Sequence, residues 1–254
     1  MNNFYLIINS EIMKILPNNL YCGNCVELLK ELKDDSVDCV ISDVAYKITP
    51  RGSCGAMSGF MKDKSSLNGK IFKSNSLEIE DYVNELYRVL KDKTFCYIMC
   101  NNLNLPHFLK VITEQTNFNF VKCLIWDKCQ VICGRYYMGC YEYIIMLRKG
   151  GDRPINDCGT KDIIRVSPPK NKRKFKDGSF VNPTEKPSAL FEILIRNSSN
   201  KGDIILDPFC GSGTIARACI NTDRKYIGFD LDERQIQYAK DEIQHIHREQ
   251  YLFK

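Results

Sequence analysis

The stretch Asp203-Ile-Ile-Leu-Asp-Pro-Phe-Cys-Gly-Ser-Gly-Thr-Ile-Ala-Arg-Ala-Cys-Ile220 decides the fold. It reads as a short apolar strand, a glycine turn and the start of a helix. Gly211 and Gly213 remove side chains where the backbone must approach something closely. The helix N-terminus behind them aims N–H groups at the same spot. No Lys follows the second glycine, so this is not a phosphate-binding P-loop, and the third glycine of a dinucleotide fingerprint is missing. The next strand, Tyr226-Ile-Gly-Phe-Asp230, ends in an acid about 20 residues beyond the glycines, where a carboxylate can bond ribose hydroxyls. This order predicts a nucleoside-bearing cofactor at the carboxyl end of a parallel sheet. Asp207 is placed either to bond the polar end of that ligand or to cap the helix.

Outward from this unit, short apolar runs alternate with helical stretches. The runs at 37–42, 95–100, 120–127, 141–148, 203–207 and 225–230 read as strands, and 79–91, 187–198 and 233–249 as amphipathic helices. Such alternation predicts a parallel-rich sheet with helices on both faces. The 254 residues suit one α/β domain, and 44% apolar with 26% charged residues fits a globular chain. A net charge of +5 is modest, so nucleic-acid binding would have to come from a local patch.

Several of the 13 Cys, such as Cys39, Cys96 and Cys123, lie inside apolar runs and read as small buried hydrophobes. Their odd number, without a secretory signal, points to a reducing compartment, and the expected location is the cytoplasm. The N-terminal residues are too few and too polar for a membrane span. Cys22 and Cys25 have zinc-ligand spacing, but no second pair completes a site. They are expected on a strand and the following helix, with no metal.

Two segments break the alternation. Residues 47–76, rich in Gly and Ser, predict a mobile loop. They follow Ser42-Asp43-Val44-Ala45-Tyr46, where an acid sits at the mouth of a buried strand and must be paired, hydrated or used. Residues 150–186 carry Pro, Gly and many cations: from Lys161 to Lys176 there are seven Lys or Arg against one Asp. A charge run is commonly a solvated face. Its position here makes a nucleic-acid contact an equal reading.

Three motifs together, Asp207–Thr214, Asn182-Pro-Thr-Glu-Lys-Pro187 and Asp43–Tyr46, resemble the DNA amino-methyltransferases, which methylate adenine N6 or cytosine N4 using S-adenosylmethionine. The resemblance runs from about residue 20 to about residue 248. The order, with the catalytic motif first and the glycine motif late, is similar to that of the family's β group. It implies a Rossmann-like, mostly parallel seven-stranded sheet in circularly permuted order, forming a single catalytic domain over 1–254. The N-terminal Leu20-Tyr-Cys-Gly-Asn24 would supply the strand beside the one ending in Asp230. Residues 150–181 fall where the family places a small target-recognition insertion.

The resemblance also implies roles. Asp43 and the Val44 carbonyl would accept the two amino hydrogens of a base flipped from the duplex, and Tyr46 would stack on it. Asn24, Asp207, Pro208, Phe209, Gly211, Gly213, Thr214 and Asp230 would line the cofactor, with Thr184 and Lys186 holding its methionine end or the nearby loop. Lys170, Lys172, Arg173, Lys174 and Lys176 would touch DNA phosphates. Asp at the first motif position accompanies adenine in the family. Cytosine N4 or a catalytically weak binding partner of the same fold are the alternatives. The implied setting is restriction–modification, and a homodimer is an allowed partner. The chain departs from the family pattern at Val44 and Ala45, where two prolines are usual, at Asn24, where an acid is usual, and at Tyr141, where His is frequent.

Overall fold

The computed structural model describes residues 14–44, 77–132, 137–170, 173–182 and 184–252. Tyr46, Lys172 and the expected loop at 47–76 lie outside the described residues.

The chain runs through β1 (Asn19–Cys22), α1 (Cys25–Lys30), β2 (Val37–Ser42), α2 (Val83–Val89), β3 (Leu90–Cys100), α3 (Leu105–Gln115), β4 (Asn119–Ile132) and β5 (Gly139–Arg148). There follow β6 (Ile163–Arg165), α4 (Ser188–Ser198), β7 (Ile204–Asp207), α5 (Thr214–Asn221), β8 (Lys225–Asp230) and α6 (Glu233–Leu252). All eight strands join one sheet in the order β1-β8-β7-β2-β3-β5-β4-β6. The pairs β1–β8, β8–β7, β7–β2, β2–β3 and β4–β6 are parallel, while β5 runs antiparallel to β3 and β4. The Rossmann-like expectation holds, and the sheet closes from both ends of the chain, with Cys22 of β1 opposite Asp230 of β8.

The central strands carry continuous apolar runs, Cys39–Ile41 on β2 and Phe95–Cys100 on β3, because both faces are covered there. On β3, Phe95, Tyr97 and Met99 pack under α4, α5 and α6, while Cys96, Ile98 and Cys100 pack under α1, α2 and α3. Cys39 and Val40 of β2 split between the same two layers. Of the cysteines read as hydrophobes, Cys39 and Cys96 are core residues and Cys123 is partly buried against the core. Burial also pushes the Cys25 thiol up to about 12. Cys22 ends β1 and Cys25 begins α1, the expected strand-to-helix placement.

Two expectations need correction. Among the described residues the sheet has eight strands where seven were expected. Ile163–Arg165 lies within the insertion and pairs with Ile125–Asp127, so part of that segment belongs to the sheet. The helix expected over 79–91 is a 3-10 turn at Ile79–Asp81 followed by α2, and it stops at Val89. Leu90 is extended and pairs with Val37, so the β ladder captures the last turn of the amphipathic pattern.

Candidate functional site

The site lies at the carboxyl ends of β8, β7 and β2, where parallel α/β sheets form their ligand crevice. The turn between β7 and α5 needs positive φ at both glycines, +46° at Gly211 and +76° at Gly213. A Cβ at Gly213 would stand 2.8 Å from the Ala239 Cβ on α6, so this turn also requires close helix packing. Asp230 clamps the turn: its Oδ2 accepts from the Gly211 amide at 2.9 Å, and its Oδ1 from the Asp232 amide at 2.8 Å. Asn24 sits beside Asp230, where the Gly23 amide donates to the Asp230 carbonyl at 2.9 Å. The Asn24 side chain caps α1 by accepting from the Val26 amide. Pro208 is buried, and the half-buried Phe209 ring meets Tyr82 edge-on at 5.1 Å.

Asp207 ends β7 next to β2. It is buried, and its Oδ1 accepts from the Phe209 amide at 3.1 Å and from the Ser42 hydroxyl at 3.2 Å. Burial pushes its carboxyl up to about 8 despite these donors, and the charges of Asp43 and Asp230 add to the rise.

Asp43 follows β2 directly, one residue beyond Ser42. The Lys186 ammonium lies 2.6 Å from its Oδ2. Burial raises the Asp43 carboxyl above its ordinary range, opposed by Lys186 and reinforced by Glu142. Val44 is a core residue, 3% exposed, packed in the α1–α3 layer. Lys186 was expected at the methionine end of a cofactor or in the nearby loop. In the structure it is a buried partner of the candidate acid.

Glu185 and Lys186 diverge from one turn. The Glu185 carboxylate pairs with Arg217 of α5 at 2.5 Å, both side chains being 8% exposed. The same Oε1 accepts from the Thr214 hydroxyl at 3.1 Å, and Arg217 donates to the Ser212 carbonyl at 2.6 Å. This turn therefore ties the glycine motif to the candidate acid. Thr184 is exposed and folds back on Asn182, its hydroxyl 3.0 Å from Asn182 Oδ1.

Sequence reasoning missed four of these side chains: Glu142, Lys128, Glu185 and Arg217. Glu142 Oε1 pairs with Lys128 of β4 at 2.6 Å, and its Oε2 lies 3.5 Å from the Lys186 ammonium. Burial would raise the Glu142 carboxyl, but Lys186 and Lys128 bring it below its ordinary value. The available signal was a lone acid and a lone base inside apolar strand runs, where an unpaired charge is costly.

The cation run divides. Lys170, Lys174 and Lys176 are exposed, and the Lys174 ammonium stands 5.1 Å from the Phe180 ring centroid. Arg173 differs from the expectation: it is half-buried and pairs with Glu242 of α6. Phe175 packs on Tyr238 of α6, and Arg234 of α6 bonds Asp177 at 2.8 Å. The 173–181 hairpin is thus docked on α6, and Arg173 helps to hold it there.

The donor set fits S-adenosylmethionine. Asp207 and Asp230 face the glycine turn and suit a ligand with cationic centres and a ribose diol. Among the described residues no helix is long and apolar enough to cross a membrane.

The N6/N4 methyltransferase family model, described as DNA methylase, matches residues 37–241. Among curated proteins, Type II methyltransferase M.HpaI of Haemophilus parainfluenzae is 29% identical over 90% of this chain and 74% of its own length. M2.MboI of Moraxella bovis is 28% identical over 87% of this chain and 86% of its own. The DNA adenine methyltransferase YhdJ of Escherichia coli K12 is 28% identical over 84% and 78%. Among solved structures, the M1.HpyAVI–SAM complex superposes with a TM-score of 0.62 at 22% identity, covering 88% of this chain and 98% of that one. The cytosine-N4-specific PvuII methyltransferase gives 0.69 at 13% identity, covering 89% and 86%.

Proposed function

Since the chain belongs to the DNA methylase family of N6/N4 amino-methyltransferases, we propose that it methylates the exocyclic N6 of adenine in DNA. When bound, S-adenosylmethionine supplies a methyl group already activated on a sulfonium centre. The amino nitrogen of the base is a poor nucleophile because its lone pair is delocalised into the ring. Two acceptors on its hydrogens favour a tetrahedral nitrogen and free that pair. Asp43 is one acceptor and the Val44 carbonyl the other. Preorganised polar groups of this kind contribute about 2.7–4 kcal/mol each, by analogy with an oxyanion-hole donor. Tyr46 stacks on the flipped base, Asp207 and Asp230 hold the cofactor, and residues 150–181 contact the target DNA.

The observation that carries this reading is the Ser42–Asp207 hydrogen bond. It fixes the ends of β2 and β7 side by side, so that Asp43 stands next to the cofactor turn. An acid at the first motif position favours adenine by family resemblance, and the name of YhdJ supports the same choice. The PvuII name points to cytosine N4, but at 13% identity that likeness concerns the fold.

The test is transfer of radiolabelled methyl groups to genomic DNA from an unmodified host, followed by nucleoside chromatography. Label in N6-methyladenine supports the proposal. Label in N4-methylcytosine overturns the choice of base, and no label with intact cofactor binding would mark a binding module.

A further inference from the structure

One buried carboxylate oxygen next to the site has an ion pair but no hydrogen bond. Glu142 Oε2 makes no hydrogen bond among the described residues, although the other oxygen of the same carboxylate is held by Lys128 at 2.6 Å. A buried acceptor without a donor is costly, so its persistence calls for a reason. A second cation, the Lys186 ammonium, stands 3.5 Å from this oxygen and is hydrogen-bonded to Asp43 at 2.6 Å. One ammonium thus pairs with two carboxylates, at hydrogen-bond distance from Asp43 and farther from Glu142.

We propose that Lys186 is a two-position side chain, capping Asp43 before the base arrives and turning to Glu142 Oε2 when the amino group of the base donates to Asp43. This rests on the reading of Asp43 as an acceptor of the amino hydrogens. An ammonium at 2.6 Å draws charge from that carboxylate and makes it a weaker acceptor. Closing the 3.5 Å gap to the usual ~2.9 Å needs only a small swing of a long side chain. The swing returns acceptor strength to Asp43 when it is needed and satisfies the unbonded oxygen. Between reactions the cap compensates a carboxylate that burial disfavours. Glu142 is then a positioning residue that acts through Lys186, and Lys128 holds Glu142 in place.

A double-mutant cycle tests this on the full chain, with single-turnover methyl transfer to genomic DNA from an unmodified host. Glu142→Gln removes the receiving charge. It is expected to slow transfer about tenfold or more in the wild-type background and less than about twofold in a Lys186→Met background. The cofactor Kd from calorimetry is expected to be unchanged. Equal losses in both backgrounds, or no loss in the first, overturn the proposal.

If Lys186→Met is too slow to time, the acidic limb of the pH–rate profile decides. Asp43 is faced by Lys186 from the turn before α4, Glu142 from β5, Lys128 from β4 and Asp207 from β7. Removing the Glu142 charge moves the limb to lower pH, because that charge raises Asp43. A limb that stays in place marks a merely structural Glu142 and overturns the proposal. Failure of the parent reading looks different: the wild type transfers no methyl to any DNA, or Asp43→Ala is as fast as the wild type.

Discussion

The Lys186 ammonium lies 2.6 Å from Asp43 Oδ2 across 143 positions of sequence. The contact joins the turn before α4 to the end of β2, and it gives a partly buried carboxylate a cation that opposes the rise caused by desolvation. Removing the cation therefore has a signed consequence. Lys186→Met leaves Asp43 with burial and the Glu142 charge, both of which raise it. The acidic limb of kcat should move to higher pH by about one unit or more, since an opposite charge this close lowers a carboxylate by roughly 1–3 units. Activity falling equally at every pH would contradict it.

Asp207 carries the opposite conflict. Its folded value of about 8 lies far above the ~3.9 of an unfolded Asp. The fold holds a proton that the unfolded chain releases, so this contribution to stability is full below about pH 4 and is lost as pH rises through 8. Asp207→Asn does not titrate. Its stability relative to wild type should rise across that window, at up to about 1.4 kcal/mol per pH unit. A cationic cofactor prefers the ionised acid. Wild-type cofactor affinity should therefore increase with pH, and the variant should bind more weakly without that increase. Thermal melts and calorimetry across the window check both halves, and a variant less stable than wild type at pH 8 would refute the burial argument.

Glu185 and Arg217 form a buried pair, each 8% exposed, so solvent screens them little. Breaking one side of such a pair costs roughly 3–5 kcal/mol. Glu185→Gln should lower stability by about that amount in urea unfolding. It should also weaken cofactor binding, because the same carboxylate holds Thr214 in the first turn of α5. Unchanged cofactor affinity would separate the pair from the site.

What the sequence disclosed and what it hid follow from how far each signal reaches. The runs at 37–42 and 225–230 match β2 and β8 residue for residue, because strands buried on both faces must be continuously apolar. The glycine turn was legible because its requirement is local. Leu90 was not: its helical periodicity was intact, but pairing with Val37 is a tertiary event. The links from Lys186 to Asp43 and from Glu185 to Arg217 were hidden for the same reason. Adjacent charged residues in a Pro-bounded turn look solvated until the chain is folded around them. A run of cations does not reveal which member turns inward, as Arg173 does to Glu242.

That division among the cations separates two effects. Neutralising Lys170 and Lys176, both exposed, should flatten the log–log salt dependence of DNA affinity by about 0.9 for each phosphate that is no longer paired, with stability unchanged. Arg173→Ala should instead destabilise the docked hairpin and α6, since it leaves Glu242 without its cation. An unchanged salt slope in the lysine variants would make the run a solvated face.

Val44 and Ala45 occupy positions where the family usually has two prolines. A proline fixes φ and so aims the carbonyl that precedes the next residue. Here Val44 is 3% exposed among the residues of the α1–α3 layer, so packing restrains the same backbone by another means. The remaining entropic difference at such a position is about 0.4–1 kcal/mol, small beside the acceptor contribution. Val44→Pro/Ala45→Pro should therefore change the methyl-transfer rate by no more than a few-fold. Val44→Gly, which supplies no ring and removes the packed side chain, should cost far more in rate while cofactor binding persists. Side-by-side single-turnover rates on the same genomic DNA decide the matter. A wild type that is inert while the double-proline variant is active would mean that packing cannot replace the ring, and that the natural chain binds DNA without methylating it.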